Sequence, residues 1–175
     1  MNLPGAVSPT DPDLVSTGHR AVAVSPGAEP DGSRRPRRKV LVTTVSSDAH
    51  TWNLVFLQKV IEELGCDVVN LGPCVPDDLL VSACLEHRPD LVVVSSVNGH
   101  GHQDGLRLIR RVSERSELSH LPFVIGGKLG MDGGEDEDRP AQLLRAGFRG
   151  VFEDNPASLS LFRSFLAQLP SGSEL

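Results

Sequence analysis

From residue 39 onward, short apolar and β-branched runs alternate with stretches whose apolar residues recur at helical spacing. The short runs predict five strands, at 39–45, 67–72, 90–96, 122–127 and 150–152. The amphipathic stretches predict five helices, at 51–65, 76–87, 103–114, 139–147 and 156–169. The apolar face of the first helix carries Leu54, Leu57, Ile61 and Leu64. The chain therefore repeats one β/α unit five times.

Five β/α units in series predict an α/β fold with a single doubly wound, five-stranded parallel sheet. The flavodoxin-like (Rossmann-like) strand order for such a chain is 2-1-3-4-5. In that order the chain reverses direction between strands 1 and 3, and ligands bind at the carboxyl ends of those strands. The loops at 46–51 and 95–103 should therefore lie side by side and form the functional site.

The predicted strands and helices also divide the chain. Residues 1–38 are rich in Pro, Gly, Ser and Asp, and we expect them to be disordered because they can bury little apolar surface. Residues 39–169 should form one domain, which suits a total length of 175 residues. We expect residues 170–175 to fray.

Charge and composition narrow the functional classes. The net charge of −6 argues against a nucleic-acid partner. The basic run at 34–39 could be a nucleic-acid arm, but we favour a solubilising hinge before the first strand. No apolar run is long enough to span a bilayer and no signal peptide is evident, so we expect a cytoplasmic protein with no membrane partner. The cysteines have no CxxC spacing and indicate reduced thiols: Cys66, Cys74 and Cys84.

The loop after strand 1 contains an aspartate and a histidine one residue apart, Asp48 and His50. A metal-coordinating imidazole commonly donates its second ring N–H to a carboxylate, which orients the ring. Alternatively, Asp48 or Thr51 caps the following helix and His50 is an ordinary loop residue. The two residues by themselves leave both interpretations open.

The loops after strands 3 and 4 favour a ligand site. Ser95 and Ser96 would offer hydroxyls to the crevice. Glycines that would let a large ligand approach the backbone stand at Gly99, Gly101 and Gly105. We interpret His100 and His102 as lining or partner-contact residues, since H-x-H on a glycine-rich loop is weak evidence for zinc. After strand 4, the pair Gly126-Gly127 indicates either a close backbone approach or a tight turn.

These three loops together resemble the cobalamin-binding domain family, whose pattern is D-x-H-x-x-G, then S-x-L, then G-G after strands 1, 3 and 4. The matching segments are Asp48-Ala49-His50, Ser95-Ser96-Val97 and Gly126-Gly127. Asn53 replaces the motif glycine and Val97 replaces the leucine. Within the family, VVNLG, VSSVNGHG and VIGGKLG look like the small (sigma) subunit of glutamate mutase, also called methylaspartate mutase. The resemblance covers residues 39–169.

The resemblance implies that His50 replaces the dimethylbenzimidazole base of the cofactor as the lower axial ligand of cobalt. Asp48 would orient and polarise His50, and these two residues would tune the cofactor without other catalytic residues in this chain. The displaced nucleotide tail would enter the crevice between strands 1 and 3, where Ser95 would hydrogen-bond its base. The implied cofactor-binding residues are Ser47, Asp48, Ala49, His50, Thr51, Asn53, Ser95, Ser96, Val97, Gly99, Gly126, Gly127, Lys128, Leu129 and Gly130.

The resemblance also implies an activity and a partner. The cofactor would be adenosylcobalamin, and the chain would be one component of an isomerase that rearranges a carbon skeleton by radical chemistry, converting L-glutamate to threo-3-methylaspartate. The chain is too short for a TIM barrel of ~250 residues. A larger TIM-barrel subunit would therefore carry the substrate, in a heterotetramer with two copies of each subunit.

Four other classes are less favoured. A corrinoid methyl carrier would have a helical cap domain, which residues 1–38 cannot form, and a cobalamin-dependent sensor would need an output domain. A phosphorylation receiver would need an aspartate at the end of strand 3, where Ser95 and Ser96 stand, and an acidic neighbour for Asp48. A flavodoxin would need aromatic side chains to stack on flavin, and the sequence has no Tyr and one Trp, Trp52.

Overall fold

The strands form one parallel sheet in the order β2-β1-β3-β4-β5, which confirms the predicted fold class and topology. They are β1 (Lys39–Thr44), β2 (Asp67–Asn70), β3 (Leu91–Ser96), β4 (Phe123–Gly127) and β5 (Gly150–Glu153). This computed structural model describes residues 37–131 and 138–169. The predicted disorder of 1–38 falls almost wholly outside those residues, as does the predicted fraying of 170–175.

Five helices connect and flank the strands. They are α1 (Trp52–Glu63), α2 (Asp77–His87), α3 (Gly101–Ser113), α4 (Arg139–Ala146) and α5 (Ser158–Gln168). A short 3-10 turn at Ser116–Leu118, which the sequence pattern did not predict, precedes β4. Among the described residues, no helix has both the length and the apolar character needed to cross a bilayer.

Helix α3 begins two residues earlier than predicted, so Gly101 and His102 belong to its first turn and not to the loop. The prediction placed Gly101 on the loop, as one of three glycines that would let a large ligand approach the backbone. In the structure, a Cβ at Gly101 would lie 2.8 Å from the Cβ of Ser96, so glycine allows α3 to start close against β3. The His102 N–H donates to the carbonyl of Leu129 (2.8 Å), which holds this first turn.

The sheet is covered on both faces, and β3 at its centre is buried along its whole length. Helices α1 and α5 cover one face through a cluster that includes Leu54, Ile61, Phe162 and Leu166, while α2, α3 and α4 cover the other. Leu64, predicted on the apolar face of α1, lies just beyond the end of that helix and is 40% exposed.

Gly105 serves packing, contrary to the expectation that it would leave room for a ligand. It lies inside α3, where a Cβ would come within 2.8 Å of Ile125 Cδ1 and 3.1 Å of Leu143 Cδ2. A larger residue here would push the helix away from the sheet. Gly105 therefore has no part in the candidate site.

Residues 37–39, the part of the basic run that the structure describes, contact the rest of the domain. The Lys39 N–H donates to Asp90 Oδ2 (2.7 Å), and its Nζ donates to the carbonyl of His87 (2.8 Å). The Arg37 guanidinium lies 3.6 Å from the Asp67 carboxylate. These contacts fix the start of β1 at the amino edge of the sheet, while residues 34–36 of the run lie outside the described residues.

Replacing Gly127 with alanine is expected to lower the free energy of unfolding by about 3 kcal/mol. Gly127 has φ +96°, and a Cβ there would lie 2.1 Å from the carbonyl oxygen of Ser96, so β3 and β4 would have to separate. Gly65→Ala is the matched control, because Gly65 has φ +82° with no atom within 4 Å of a Cβ. It should cost only about 1–2 kcal/mol of backbone strain. Urea denaturation of both variants tests this, and equal losses would contradict it.

Candidate functional site

The loop that follows β1 and the loop that follows β3 lie side by side, as the strand order predicts. Thr44 pairs with Ser95 in the sheet, and the Val45 N–H donates to the carbonyl of Ser95 (3.1 Å). The two polar segments found in the sequence are thus brought to one place at the carboxyl edge of the sheet. This edge is where open α/β sheets bind ligands.

Asp48 is fully buried between these loops, with a relative exposure of 0%. Its Oδ2 accepts hydrogen bonds from the N–H groups of Val97 (2.5 Å) and Asn98 (3.3 Å), and its Oδ1 accepts one from the His50 N–H (3.0 Å). Burial by itself would raise the pKa of Asp48, but these hydrogen bonds and the one from the His50 ring outweigh it and lower the pKa. The carboxylate is therefore ionised at neutral pH.

The carboxylate of Asp48 does not cap α1, because its bonds go to loop N–H groups. Thr51, the N-cap residue, also makes no side-chain bond to the helix. The capping interpretation left open by the sequence therefore does not describe this loop.

His50 is oriented by Asp48, with its Nδ1 2.6 Å from Asp48 Oδ1. An ionised carboxylate can only accept, so Nδ1 is the donor to Asp48, and in the neutral imidazole Nε2 is the nitrogen that has the lone pair. The His50 side chain is 61% exposed, and no residue of 37–131 or 138–169 hydrogen-bonds Nε2. His50 thus presents one oriented nitrogen ligand to the outside of the domain.

The backbone around Asp48 is fixed by three residues to which the sequence assigned no role in the site, Thr44, Cys74 and Asn98. The carbonyl of Asp48 accepts hydrogen bonds from Thr44 Oγ1 (2.7 Å) and from the Cys74 N–H (3.0 Å). Asn98 Nδ2 donates to both the carbonyl and Oγ of Ser47, each at 3.0 Å. The position of Thr44 at a strand end was a usable signal for this role, whereas Cys74 acts through its backbone and left no signal in its side chain.

Side-chain hydrogen bonds also connect the loop after β1 to helices α2 and α3. Asp104, only 8% exposed, accepts hydrogen bonds from Ser47 Oγ and from Arg107 Nη1 (2.5 Å). Arg107 also donates to Ser46 Oγ (2.6 Å) and to Asp77 Oδ2 (2.7 Å). This network holds the outer side of the His50 loop.

Asp104→Ala is expected to lower the free energy of unfolding by about 1–3 kcal/mol, because it removes a buried carboxylate that accepts hydrogen bonds from Ser47 Oγ and from the Arg107 guanidinium. Asp78→Ala is the matched control. Asp78 is 75% exposed and pairs with Arg111 on the surface, so its loss should cost less than about 1 kcal/mol. Urea denaturation of both variants at neutral pH provides the comparison. A smaller loss for Asp104→Ala than for the control would show that the network does not support the loop.

A cavity of about 120 Å³ lies between α1 and α5, below the carboxyl ends of β3, β4 and β5. Its apolar walls include Leu57, Val93, Val124, Phe152, Leu159 and Phe162. Its polar lining comes from Asn53, Ser95, Glu153, Asp154, Asn155 and Ser158. Asn53 Nδ2 donates a hydrogen bond to Ser95 Oγ across this space.

The structure groups the predicted site residues in three sets. Ser47, Ala49, Thr51 and Val97 surround Asp48 and His50 on the two loops, whereas the cavity is lined by Asn53, Ser95, Gly126 and Gly127. The third set packs toward α3 or lies beyond β4, outside the cavity lining: Ser96, Gly99, Lys128, Leu129 and Gly130.

The two glycines that end β4, Gly126 and Gly127, are required by the packing of neighbouring strands. A Cβ at Gly126 would lie 2.7 Å from the carbonyl oxygen of Phe152, and one at Gly127 would meet Ser96. These glycines therefore let the backbone of β4 lie close to the backbones of β5 and β3. The cavity wall formed by Glu153, Asp154 and Asn155 was missed in the sequence. Their position at the carboxyl end of β5, beside β4, was the available signal.

The arrangement fits a cofactor that brings most of its own metal ligands. A free metal ion would need several protein donors, and the described residues contain no cluster of three or more His, Cys, Asp or Glu side chains suited to one. His50 offers one exposed nitrogen, oriented by a buried carboxylate. The neighbouring cavity can accept a narrow appendage. A corrinoid, with four equatorial nitrogens and a nucleotide tail, meets both conditions.

Comparison with known proteins agrees with this chemistry. Residues 38–144 match the family model of the B12 binding domain. The glutamate mutase sigma subunit of Fusobacterium nucleatum is 29% identical over 117 residues, covering 67% of this chain and 85% of the relative. Sigma subunit 1 of Haloarcula marismortui is 33% identical over 116 residues, covering 66% and 76%.

Solved structures show the same fold. A cobalamin-binding protein from Desulfitobacterium hafniense superposes with a TM-score of 0.57 at 22% identity. The match covers 74% of this chain and 59% of that protein. At this identity the likeness establishes the fold, and the family follows from the sequence matches. The chain belongs to the B12-binding domain family and is a relative of the glutamate mutase sigma subunits.

Proposed function

We propose that this chain is the cobalamin-binding small subunit of an adenosylcobalamin-dependent carbon-skeleton mutase of the glutamate mutase type. The observation that carries the proposal is the Asp48–His50 pair, in which a buried, ionised carboxylate orients a histidine whose Nε2 is exposed. The names of its sigma-subunit relatives support the same function.

His50 is the residue that would bind cobalt, through Nε2, with the cofactor's own base displaced. Asp48 holds the proton on Nδ1, so that Nε2 keeps its lone pair, and strengthens the imidazole as a ligand. The hydrogen bonds from Val97, Asn98 and the backbone of His50 keep Asp48 ionised in a buried position. When bound, adenosylcobalamin supplies a carbon radical by homolysis of its cobalt–carbon bond.

The cavity between α1 and α5 would hold the nucleotide tail. Ser95 lines it and has a hydroxyl that can donate to a ring nitrogen of the lower base. Gly126 and Gly127 form part of its lining without side chains. The apolar walls would exclude water from the bound base.

The substrate would bind to a larger subunit with a TIM barrel, in a heterotetramer with two copies of each chain. The sigma-subunit names of the relatives support a two-component enzyme. The exposed position of His50 supports an active site completed at an interface, since a cofactor held by this side chain would lie at the surface of the domain, where a partner can reach it. The reaction would interconvert L-glutamate and threo-3-methylaspartate.

A titration with cobalamin tests the proposal. Trp52, the single tryptophan, is 84% exposed and lies two residues beyond His50, so a bound corrin should quench its emission. The absorption spectrum should also change to the form in which the cofactor base has left cobalt. Adding a glutamate mutase large subunit with adenosylcobalamin should then yield methylaspartate from glutamate. Unchanged tryptophan emission and absorption over the whole titration would refute the proposed function.

A further inference from the structure

The side chains of Asn53 and Ser95 are joined by one hydrogen bond, and each still has one polar group that can bind a ligand. Asn53 uses Nδ2 to donate to Ser95 Oγ, so the Ser95 hydroxyl proton can still be donated to something else in the cavity. The carbonyl oxygen Oδ1 of Asn53 accepts no hydrogen bond from residues 37–131 or 138–169. The pair therefore offers one donor, from Ser95, and one unpaired acceptor, from Asn53.

The rest of the polar lining adds acceptors. Glu153 ends β5 and Asp154 follows it. Both line the cavity, and neither carboxylate has an ion-pair partner among the described residues. A ring nitrogen of any bicyclic base could accept from Ser95. Only a base with its own N–H donor could also pair with Asn53 Oδ1. A base without one would bury that oxygen unpaired, which is unfavourable.

The small volume of the cavity also favours a base such as adenine over dimethylbenzimidazole. The cavity is small, about 120 Å³, and the Asn53 side chain reaches across to Ser95. Dimethylbenzimidazole carries two methyl groups on its six-membered ring. A purine such as adenine has a bicycle of similar size with a single amino group, so it needs less room and supplies the missing donor.

We infer that Asn53 makes this cavity selective for a corrinoid whose lower base carries an exocyclic N–H donor, such as adenine, over one carrying dimethylbenzimidazole. The inference rests on the proposed function, since it takes the cavity as the tail site. Asn53 acts as a specificity-determining residue through its carbonyl oxygen.

Binding constants measured by Trp52 fluorescence test the inference without any enzymatic assay. The probes are cobalamin, its analogue with adenine as the lower base, and cobinamide, which lacks the nucleotide. The wild-type chain should bind the adenine corrinoid about 10-fold more tightly than cobalamin, the effect expected for one unpaired buried acceptor. Asn53→Ala should bring the two affinities within about twofold. Asn53→Asp keeps the size and an acceptor for the base but takes the Ser95 hydroxyl proton, so it should retain the preference while both corrinoids bind more weakly.

The three probes separate failure of the inference from failure of the proposed function. Equal or tighter binding of cobalamin by the wild type would overturn the inference, as would an unchanged ratio in Asn53→Ala. Cobinamide binding that is lost in His50→Ala would show that the cobalt ligand stands even then. If none of the three corrinoids binds, the proposed function fails and the inference fails with it. Circular dichroism on each variant confirms that it is folded.

Discussion

Cobalamin bound to His50→Ala is expected to lose the nitrogen coupling of a protein ligand from the electron paramagnetic resonance spectrum of its cobalt(II) form. Affinity for cobalamin should fall by about 100-fold or more. Loss of a residue that only orients a metal ligand costs about 10–100-fold, and loss of the ligand itself should cost at least as much. The physical reason is that Nε2 of His50 is the one exposed nitrogen that Asp48 orients.

Folding should change little in this variant. The His50 side chain is 61% exposed, and the backbone N–H at position 50 can still donate to Asp48. We expect the free energy of unfolding to fall by no more than about 1 kcal/mol. A loss of binding in this variant would therefore report on the ligand and not on a misfolded domain.

His100→Ala is the matched control, because His100 is an exposed histidine on the neighbouring loop. Its backbone N–H bonds to Asn98 Oδ1 (2.9 Å), which the substitution preserves. The control should keep both the nitrogen coupling and the affinity. Coupling retained in His50→Ala and lost in His100→Ala would show that the wrong histidine has been assigned as ligand.

Asp48→Ala is expected to lower the free energy of unfolding by about 2–4 kcal/mol, because the N–H groups of Val97 and Asn98 would lose their buried acceptor. It should also weaken cobalamin binding by about 10–100-fold, since nothing would orient His50. Asp48→Asn keeps the shape and one acceptor oxygen, so it should cost less stability. Urea denaturation and the Trp52 titration measure the two effects, and an Asp48→Ala variant as stable as wild type would contradict the proposed role.

The pH dependence of stability provides a second measurement on Asp48. Its pKa is lowered in the folded state, so its contribution is fully present above the unfolded-state value of about 3.9 and is lost as the pH falls through the folded-state value. Wild-type stability should therefore decline in acid below about pH 4 more steeply than that of Asp48→Asn. Parallel acid profiles for the two proteins would exclude this contribution.

The fold could be predicted because its signals are local. Alternation of apolar runs and amphipathic stretches located the five strands and the five α-helices but not the 3-10 turn at Ser116–Leu118. The handedness of parallel crossovers limited the strand order. The errors occurred at glycines. Gly101 and Gly105 were assigned to ligand approach, but Ser96, Ile125 and their neighbours occupy the space that a side chain would need.

The candidate site was predicted less completely. The loop after strand 1 drew attention to Asp48 and His50, and the resemblance implied their roles; the structure shows the hydrogen bond between them. Asp104 and Arg107 could not be assigned, because an acidic and a basic residue on a helix usually face solvent. They belong to the site because Asp104 accepts a hydrogen bond from Ser47 and Arg107 donates one to Ser46.

By itself, the amino-acid sequence determined five β/α units, their order in the sheet, and the meeting of two polar loops at its carboxyl edge. These follow from residue periodicity and chain connectivity, which are properties of neighbouring residues. Only the tertiary structure decided which groups receive each hydrogen bond. Asp48 is held by Val97 and Asn98, and Asn53 reaches Ser95, because folding brings together atoms 42 to 50 positions apart in the chain. No local pattern encodes those distances, so the selectivity of the cavity emerges only in the folded domain.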